Sequence, residues 1–297
     1  MVFCNEKAGK FIIYVLEFHH SLIFKYFSRT VDNRAIIFNS SYANSKLSWR
    51  LKNITNLDMS QKKHEAISEI MSDYEKLANR VLNQLDEVKK LISAEDQLPG
   101  KDQLKVLKED ESKINKLEVK ISDKIIHSIA LYQPVASEIR NLMACYRIVI
   151  SLERMGDLSI SIAKQLSHIE NQEVYSSLSG FISKMMDLSV EMARRSMLSF
   201  INKDMELAMW TIKSESIVDE FNHKMLKKVA ERAYFVAEDK NLLMSFINIK
   251  EMVSNIERIS DHAANIAEAS IYAFEGKEIR HHRRKVQEEK SKPSDNE

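Results

Sequence analysis

From Gln61 onward, apolar residues recur at three- and four-residue steps: Ile67, Ile70, Met71, Tyr74, Leu77, Val81, Leu85, Val88 and Ile92. That is the period of one buried helix face. Leu-Pro-Gly-Lys, 98–101, breaks the run, and a second helical pattern extends from about Asp102 to Leu131. Pro134 interrupts it. A third pattern starts near Ser137, where a serine can cap and Glu138 falls in the first turn, and runs to about His168. The remainder repeats the scheme, with helices expected over Glu173–Phe200, Lys203–Phe235 and Asp239–Glu275, the last closed by Gly276. Long helices with short connections pack antiparallel. The fold class expected is therefore all-α, two tandem three-helix bundles over residues 61–170 and 171–280.

Both ends depart from this pattern. Residues 1–60 lack clean helical periodicity and carry an Asn/Ser-rich patch, NSSYANSK, Asn39 to Lys46, which reads as a poorly ordered appendage, part of it even upstream of a start at Met59. The charged tail, 281–297, is expected to be disordered, its RHHRRK run solvated.

Composition sharpens the class. Five Gly and three Pro in 297 residues are few for a protein built on strands and tight turns. A formal charge of +1 leaves no global field to draw the chain to nucleic acid or a membrane surface. Cys4 and Cys145 form no metal-binding spacing and fit a reducing, cytoplasmic compartment. The apolar stretch Phe11 to Phe27 is interrupted by Glu17, His19, His20 and Lys25, short of the about 18–20 apolar residues a membrane span needs. It also lacks the cleavage site of a signal peptide, so no direct membrane insertion is expected. The fourteen methionines read mostly as core filler.

One internal repeat carries the chemistry. SLERMGDLSISIAKQ, 151–165, and NIERISDHAANIAEA, 255–269, both contain Glu-Arg-x-x-Asp followed by Ile-Ala, and 104 residues separate Glu153 from Glu257 and Asp157 from Asp261. The same offset carries Glu111 to Glu215 and Asn115 to Asp219. Two acidic pairs on different helices sharing one period indicate duplication of a three-helix unit.

Residues four apart on a helix share a face, where like charges repel by a few tenths of a kcal/mol. On an isolated surface, water compensates. The helix around Glu153, however, is apolar over most of its circumference, and buried anions are costly unless paired or metal-bound. In the second half Glu257, Asp261, Asn265 and Glu268 form one oxygen-bearing stripe, facing Glu215, Asp219, Asn222 and the adjoining His223. Carboxylate and amide oxygens suit hard cations, Mg²⁺, Mn²⁺, Ca²⁺ or Fe³⁺. The first half offers Glu111, Asn115, Glu118, Glu153 and Asp157, with Ser161 and Lys164 where the second has Asn265 and Glu268. A lysine there opposes a cation, so weaker or altered binding is expected. Arg154 and Arg258, also 104 apart, offer neutralisation without metal, and motif physics alone leaves both readings open.

These signatures, with QPVASEIR before the first and FEGKEIRH after the second, resemble those of the PhoU-type phosphate-uptake regulators over about residues 61–282. The resemblance implies a six-helix, non-enzymatic protein that dimerises and binds metal ions (Mg, Mn, Fe or Zn) through Glu111, Asn115, Glu153, Asp157, Glu215, Asp219, Glu257 and Asp261. Glu118, Asn222, His223, Asn265 and Glu268 are possible additional ligands. It also implies two partners, the ATPase of the phosphate ABC transporter and a phosphate-sensing histidine kinase restrained when phosphate is plentiful. Glu138-Ile139-Arg140 and Ser260 are mild departures from the family pattern, whereas Asn115 and Lys164 bear on the first cluster. The shared site is anionic and repels phosphate unless metals intervene, so sensing is expected to pass through partners. Two other classes remain: a helical adaptor without metal, and a carboxylate-metal oxidoreductase of ferritin type. The second needs paired Glu-x-x-His spacings, and Glu220–His223 has no second at the required place.

Overall fold

The computed structural model describes residues 40–94, 98–234 and 240–279; side chains of 40–58, 226 and 229–234 are not described. Phe11–Phe27, the RHHRRK run and most of the expected N-terminal appendage and charged tail lie outside these residues. The chain divides into two compact units, Met1–Ile54 and Thr55–Glu297. Within the first, the described residues are helical from Ser40. Everything below concerns the second.

Six helices occur among the described residues: α1 Ser40–Ser93, α2 Lys101–Tyr132, α3 Ala136–Ser167, α4 Gln172–Asn202, α5 Met205–Tyr234 and α6 Lys240–Glu275. α1 thus begins well upstream of Gln61. Its Asn- and Ser-rich first turns have weak intrinsic helix preference and no apolar period, so pattern alone did not register them.

Local chemistry explains most boundaries. Gln133 adopts φ 43°, ending α2 with its N–H on the Ile129 carbonyl, and Pro134 cannot continue the helix. α3 starts at Ala136, with Ser137 inside the first turn; the Val135 N–H instead donates to Glu138 Oε2 at 2.8 Å. The expected serine cap is therefore replaced by a glutamate reaching back. Lys203, φ 54°, terminates α4, and Asp204 caps α5 by accepting from the N–H groups of Glu206 and Leu207 at 2.9 and 3.1 Å. Gly276, φ 71°, closes α6 as expected, because only glycine enters that region at no steric cost.

The two repeats share one apolar core. Tyr74 and Phe200 meet edge to face at 5.2 Å, and the Tyr175 hydroxyl donates to the Ile92 carbonyl at 2.7 Å, joining α1 to α4. Buried Asp73 ties α1 to α2 through Lys120 and Lys124 at 3.0 and 2.9 Å. Burial opposes its ionisation, but hydrogen bonds from Lys124, Lys120 and Lys76 outweigh it and hold the carboxyl below the usual range.

At the centre α3 and α6 run antiparallel. Asn248 donates to the His168 carbonyl at 3.1 Å, Asn255 donates to Gln165 at 3.0 Å, and at the other end Arg147 lies 5.3 Å over the Tyr272 ring. Arg140 meanwhile packs against Gly276, where an added Cβ would meet its Nε at 3.3 Å. This register sets Arg154 beside His262, the two arms of the repeat lying at one level. Cys145, on the stripe read as core, is fully buried, and burial pushes its thiol up to about 12.

Candidate metal centre

Each half gathers its acidic residues from two adjacent helices. In the first, α2 supplies Glu111, Asn115 and Glu118, and α3 supplies Glu153 and Asp157. Asn115 Nδ2 donates to Glu111 Oε1 at 2.7 Å, and the Ser122 hydroxyl donates to Glu118 Oε1 at 2.9 Å. Glu153 is pushed up by burial and by the charges of Asp157, Glu118 and Glu111, against the opposing Arg154. Asp157 is raised by burial and then by the charge of Glu111, with Arg154 opposing. Arg154 bridges the pair, Nε 3.5 Å from Glu153 Oε2 and Nη1 3.5 Å from Asp157 Oδ2. The guanidinium expected as a neutralising partner is therefore in place in this half, at long contact distances.

The second half is solved differently. Asn222 on α5 is buried and its Nδ2 donates to Glu257 Oε2 on α6. Asp261 is raised to about 7 by burial and then by Glu215, Glu257 and Asp219, with Arg258 opposing. Asp219 is raised by burial, partly offset by His223. Burial, followed by the charges of Arg258 and Arg154, holds His262 down to about 4, so its ring is neutral at pH 7. Arg258 opposes the rise of Asp261 as Arg154 opposes that of Glu153 and Asp157 in the first half.

Of the additional residues, Glu118 joins its cluster and Asn222 joins the other. His223 is exposed and its Nδ1 engages the Asp219 carbonyl at 3.0 Å. Asn265 is exposed, and neither it nor Glu268 is among the charges that raise Asp261. Glu220, the acid of the single Glu-x-x-His, pairs at 2.6 Å with Lys224 on the surface. Pattern reading also missed a permutation: the 104-residue offset carries Glu118 to Asn222 as well as Asn115 to Asp219. Each half thus holds four carboxylates and one amide, with the amide at the second α-helical position in one and the third in the other. Aligning all three positions, instead of two, reveals it.

The fit to a cation rests on two orphaned atoms. Asn115 Oδ1 and Asn222 Oδ1 are buried acceptors without a donor, one in each cluster, where acceptors already outnumber donors. Among the described residues, no group of three or more His, Cys, Asp or Glu stands in ligating arrangement. A hard cation is the species whose binding would offset the repulsion among these carboxylates.

A duplicated three-helix protein with a four-carboxylate, one-amide cluster in each copy is defined by this geometry. The PhoU domain model matches residues 74–166 and 182–270, the two copies. The chain belongs to the PhoU family. It is 32% identical over 176 residues to the phosphate-specific transport system accessory protein PhoU homolog of Aquifex aeolicus (strain VF5), spanning 59% of this chain and 77% of that protein. Its fold is similar to the crystal structures of the phosphate transport system regulatory protein PhoU from Streptococcus pneumoniae (TM-score 0.63, 19% identity, 74% of this chain and 99% of that one) and of PhoU from Pseudomonas aeruginosa (TM-score 0.60, 23% identity, 72% and 99%).

Proposed function

We propose that this protein is a negative regulator of phosphate uptake and of phosphate-starvation signalling, a metal-binding adaptor between the ATPase of a phosphate ABC transporter and a sensor histidine kinase. Membership of the family and the printed role of its relatives as transport accessory proteins support the system. Among the described residues no helix is long and apolar enough to cross a membrane, which accords with an adaptor that meets the transporter from one side. The protein acts as a homodimer in the cytoplasm.

The metal-binding part of the reading rests on the two orphaned amide oxygens, one in each cluster, and on carboxylates pushed up by burial and then by one another's charge. Glu215, Asp219, Asn222, Glu257 and Asp261 would hold one ion or cluster, and Glu111, Asn115, Glu118, Glu153 and Asp157 the other. A metal held there would supply charge neutralisation between α2 and α3 and between α5 and α6. The donor set favours Mg, Mn or Fe over Zn. Arg154 favours a second reading, an adaptor whose first half is neutralised without metal.

Deleting the gene and following a phosphate-starvation reporter in rich phosphate tests the regulatory role: derepression is expected, and unchanged repression would remove it. Elemental analysis of protein purified without chelator tests the metal separately. Metal-free protein with full regulatory activity leaves the adaptor and discards the ion.

A further inference from the structure

His262 is half-buried on α6, and its Nδ1 is buried with no hydrogen-bond partner. A buried polar atom left unpaired costs free energy, so it marks a place where a partner is expected. Besides burial, the groups that act on this ring are cations: Arg258, one turn back on the same helix, and Arg154 on α3. Guanidinium groups only donate hydrogen bonds. The tautomer these cations favour carries its proton on Nε2, which leaves Nδ1 an acceptor without a donor.

The helix register says which arginine can supply it. Asn248 donates to the His168 carbonyl across the α6–α3 contact. Moving fourteen residues along each helix from that pair, forward on α6 and back on α3, brings His262 opposite Arg154. Fourteen residues are about four helical turns, so both side chains return to the faces that meet. The 104-residue offset carries Arg154 to Arg258 and Leu158 to His262. Arg258 therefore stands opposite Leu158, a buried side chain that accepts nothing. Of the two arginines, Arg154 alone has a polar acceptor across the central contact.

Arg154 is more than half exposed and meets Glu153 and Asp157 through single contacts of 3.5 Å, too long for well-formed hydrogen bonds. A cation held by those carboxylates would repel the guanidinium, which cannot shed its charge. We propose that Arg154 is a displaceable counter-ion with two seats: the carboxylates of Glu153 and Asp157 in the metal-free protein, and Nδ1 of His262 once a cation takes them. The proposal rests on the reading of the first cluster as a cation site. It goes beyond that reading by linking the repeats, because filling the α2–α3 cluster delivers a charged donor to α6 at the residue after Asp261. The free energy of binding in one repeat then depends on a residue of the other.

The parent for the test is the full chain carrying Glu215→Gln/Glu257→Gln, which confines binding to the first cluster. Calorimetric titration reads its affinity for Mn²⁺. His262→Leu, the side chain the first repeat has at Leu158, is expected to weaken Mn²⁺ binding about 3- to 10-fold, and to change it less than ~2-fold once Arg154 is replaced by Ala. His262→Gln keeps an acceptor and should bind Mn²⁺ more tightly than His262→Leu. In nitrogen NMR spectra, Mg²⁺ should move His262 Nδ1 toward the position of a hydrogen-bonded acceptor, in Arg258→Ala as in the parent but not in Arg154→Ala. Circular dichroism checks each fold, and the spectra decide if His262→Leu misfolds. An equal effect of His262→Leu with and without Arg154, a resonance that Mg²⁺ leaves in place, or a response lost with Arg258 instead overturns the proposal while the cation site stands. Absence of Mn²⁺ binding to the folded parent removes the first cluster as a cation site, and the proposal with it.

Discussion

Asn222 and Glu257 meet across the α5–α6 contact, the amide nitrogen donating to the carboxylate while the amide oxygen, equally buried, receives nothing. The side chain is held by its donor, and its acceptor is left without a partner. Replacing Asn222 by Asp removes that donor and adds a fifth carboxylate. We expect the metal-free protein to lose about 1–3 kcal/mol, as is usual when a buried group loses its partner, while affinity for Mn²⁺ rises. Thermal unfolding with and without Mn²⁺ measures both. Parallel losses in both conditions would show that Asn222 serves only packing.

Asp261 predicts a pH dependence. Its folded value, about 7, lies above the ordinary 3.8, so between the two the folded protein holds a proton that the unfolded chain has released. Stability of the metal-free protein therefore falls as pH rises from about 4 to about 7, the sense opposite to a salt-bridged aspartate. Asp261→Asn should flatten the profile. Denaturant titrations at pH 5 and pH 8 in chelator check this, and greater stability at pH 8 that persists in Asp261→Asn would contradict it.

In the first half, metal must displace a guanidinium. Arg154 is more than half exposed, so its pairs with Glu153 and Asp157 contribute little, about 0–1 kcal/mol. Arg154→Ala should leave the melting temperature nearly unchanged and strengthen metal binding in this half, raising the apparent stoichiometry in calorimetric titration. A large loss of stability without any gain in binding would favour the internal salt network.

Gly156 and Ile114 predict a compensated swap. A Cβ at Gly156 would stand 3.2 Å from Ile114 Cδ1 and 3.4 Å from its Cγ2, tighter than ordinary contact. The second repeat has Ser260 and Val218 at these positions, both buried, with a side chain gained on α6 and a methylene lost on α5. Gly156→Ser should cost about 1–3 kcal/mol by overpacking. Adding Ile114→Val should recover at least half of that loss, whereas Ile114→Val alone costs about 1 kcal/mol. A double-mutant cycle with no coupling would rule out the contact.

The sequence by itself determined the helices, the duplication and the acidic pairs, because each is written in local spacing: apolar residues every three or four positions, Glu and Asp four apart, one offset of 104. Gly276 as the end of α6 was equally legible, being a local backbone requirement. Only the tertiary structure decided how each cluster is neutralised. The Glu-Arg-x-x-Asp strings are alike, yet Arg154 spans both carboxylates of its own motif while Asp261 is pushed up to about 7, first by burial and then by Glu215, Glu257 and Asp219. The shared core of the repeats was also beyond local pattern, for it depends on which helices pack together.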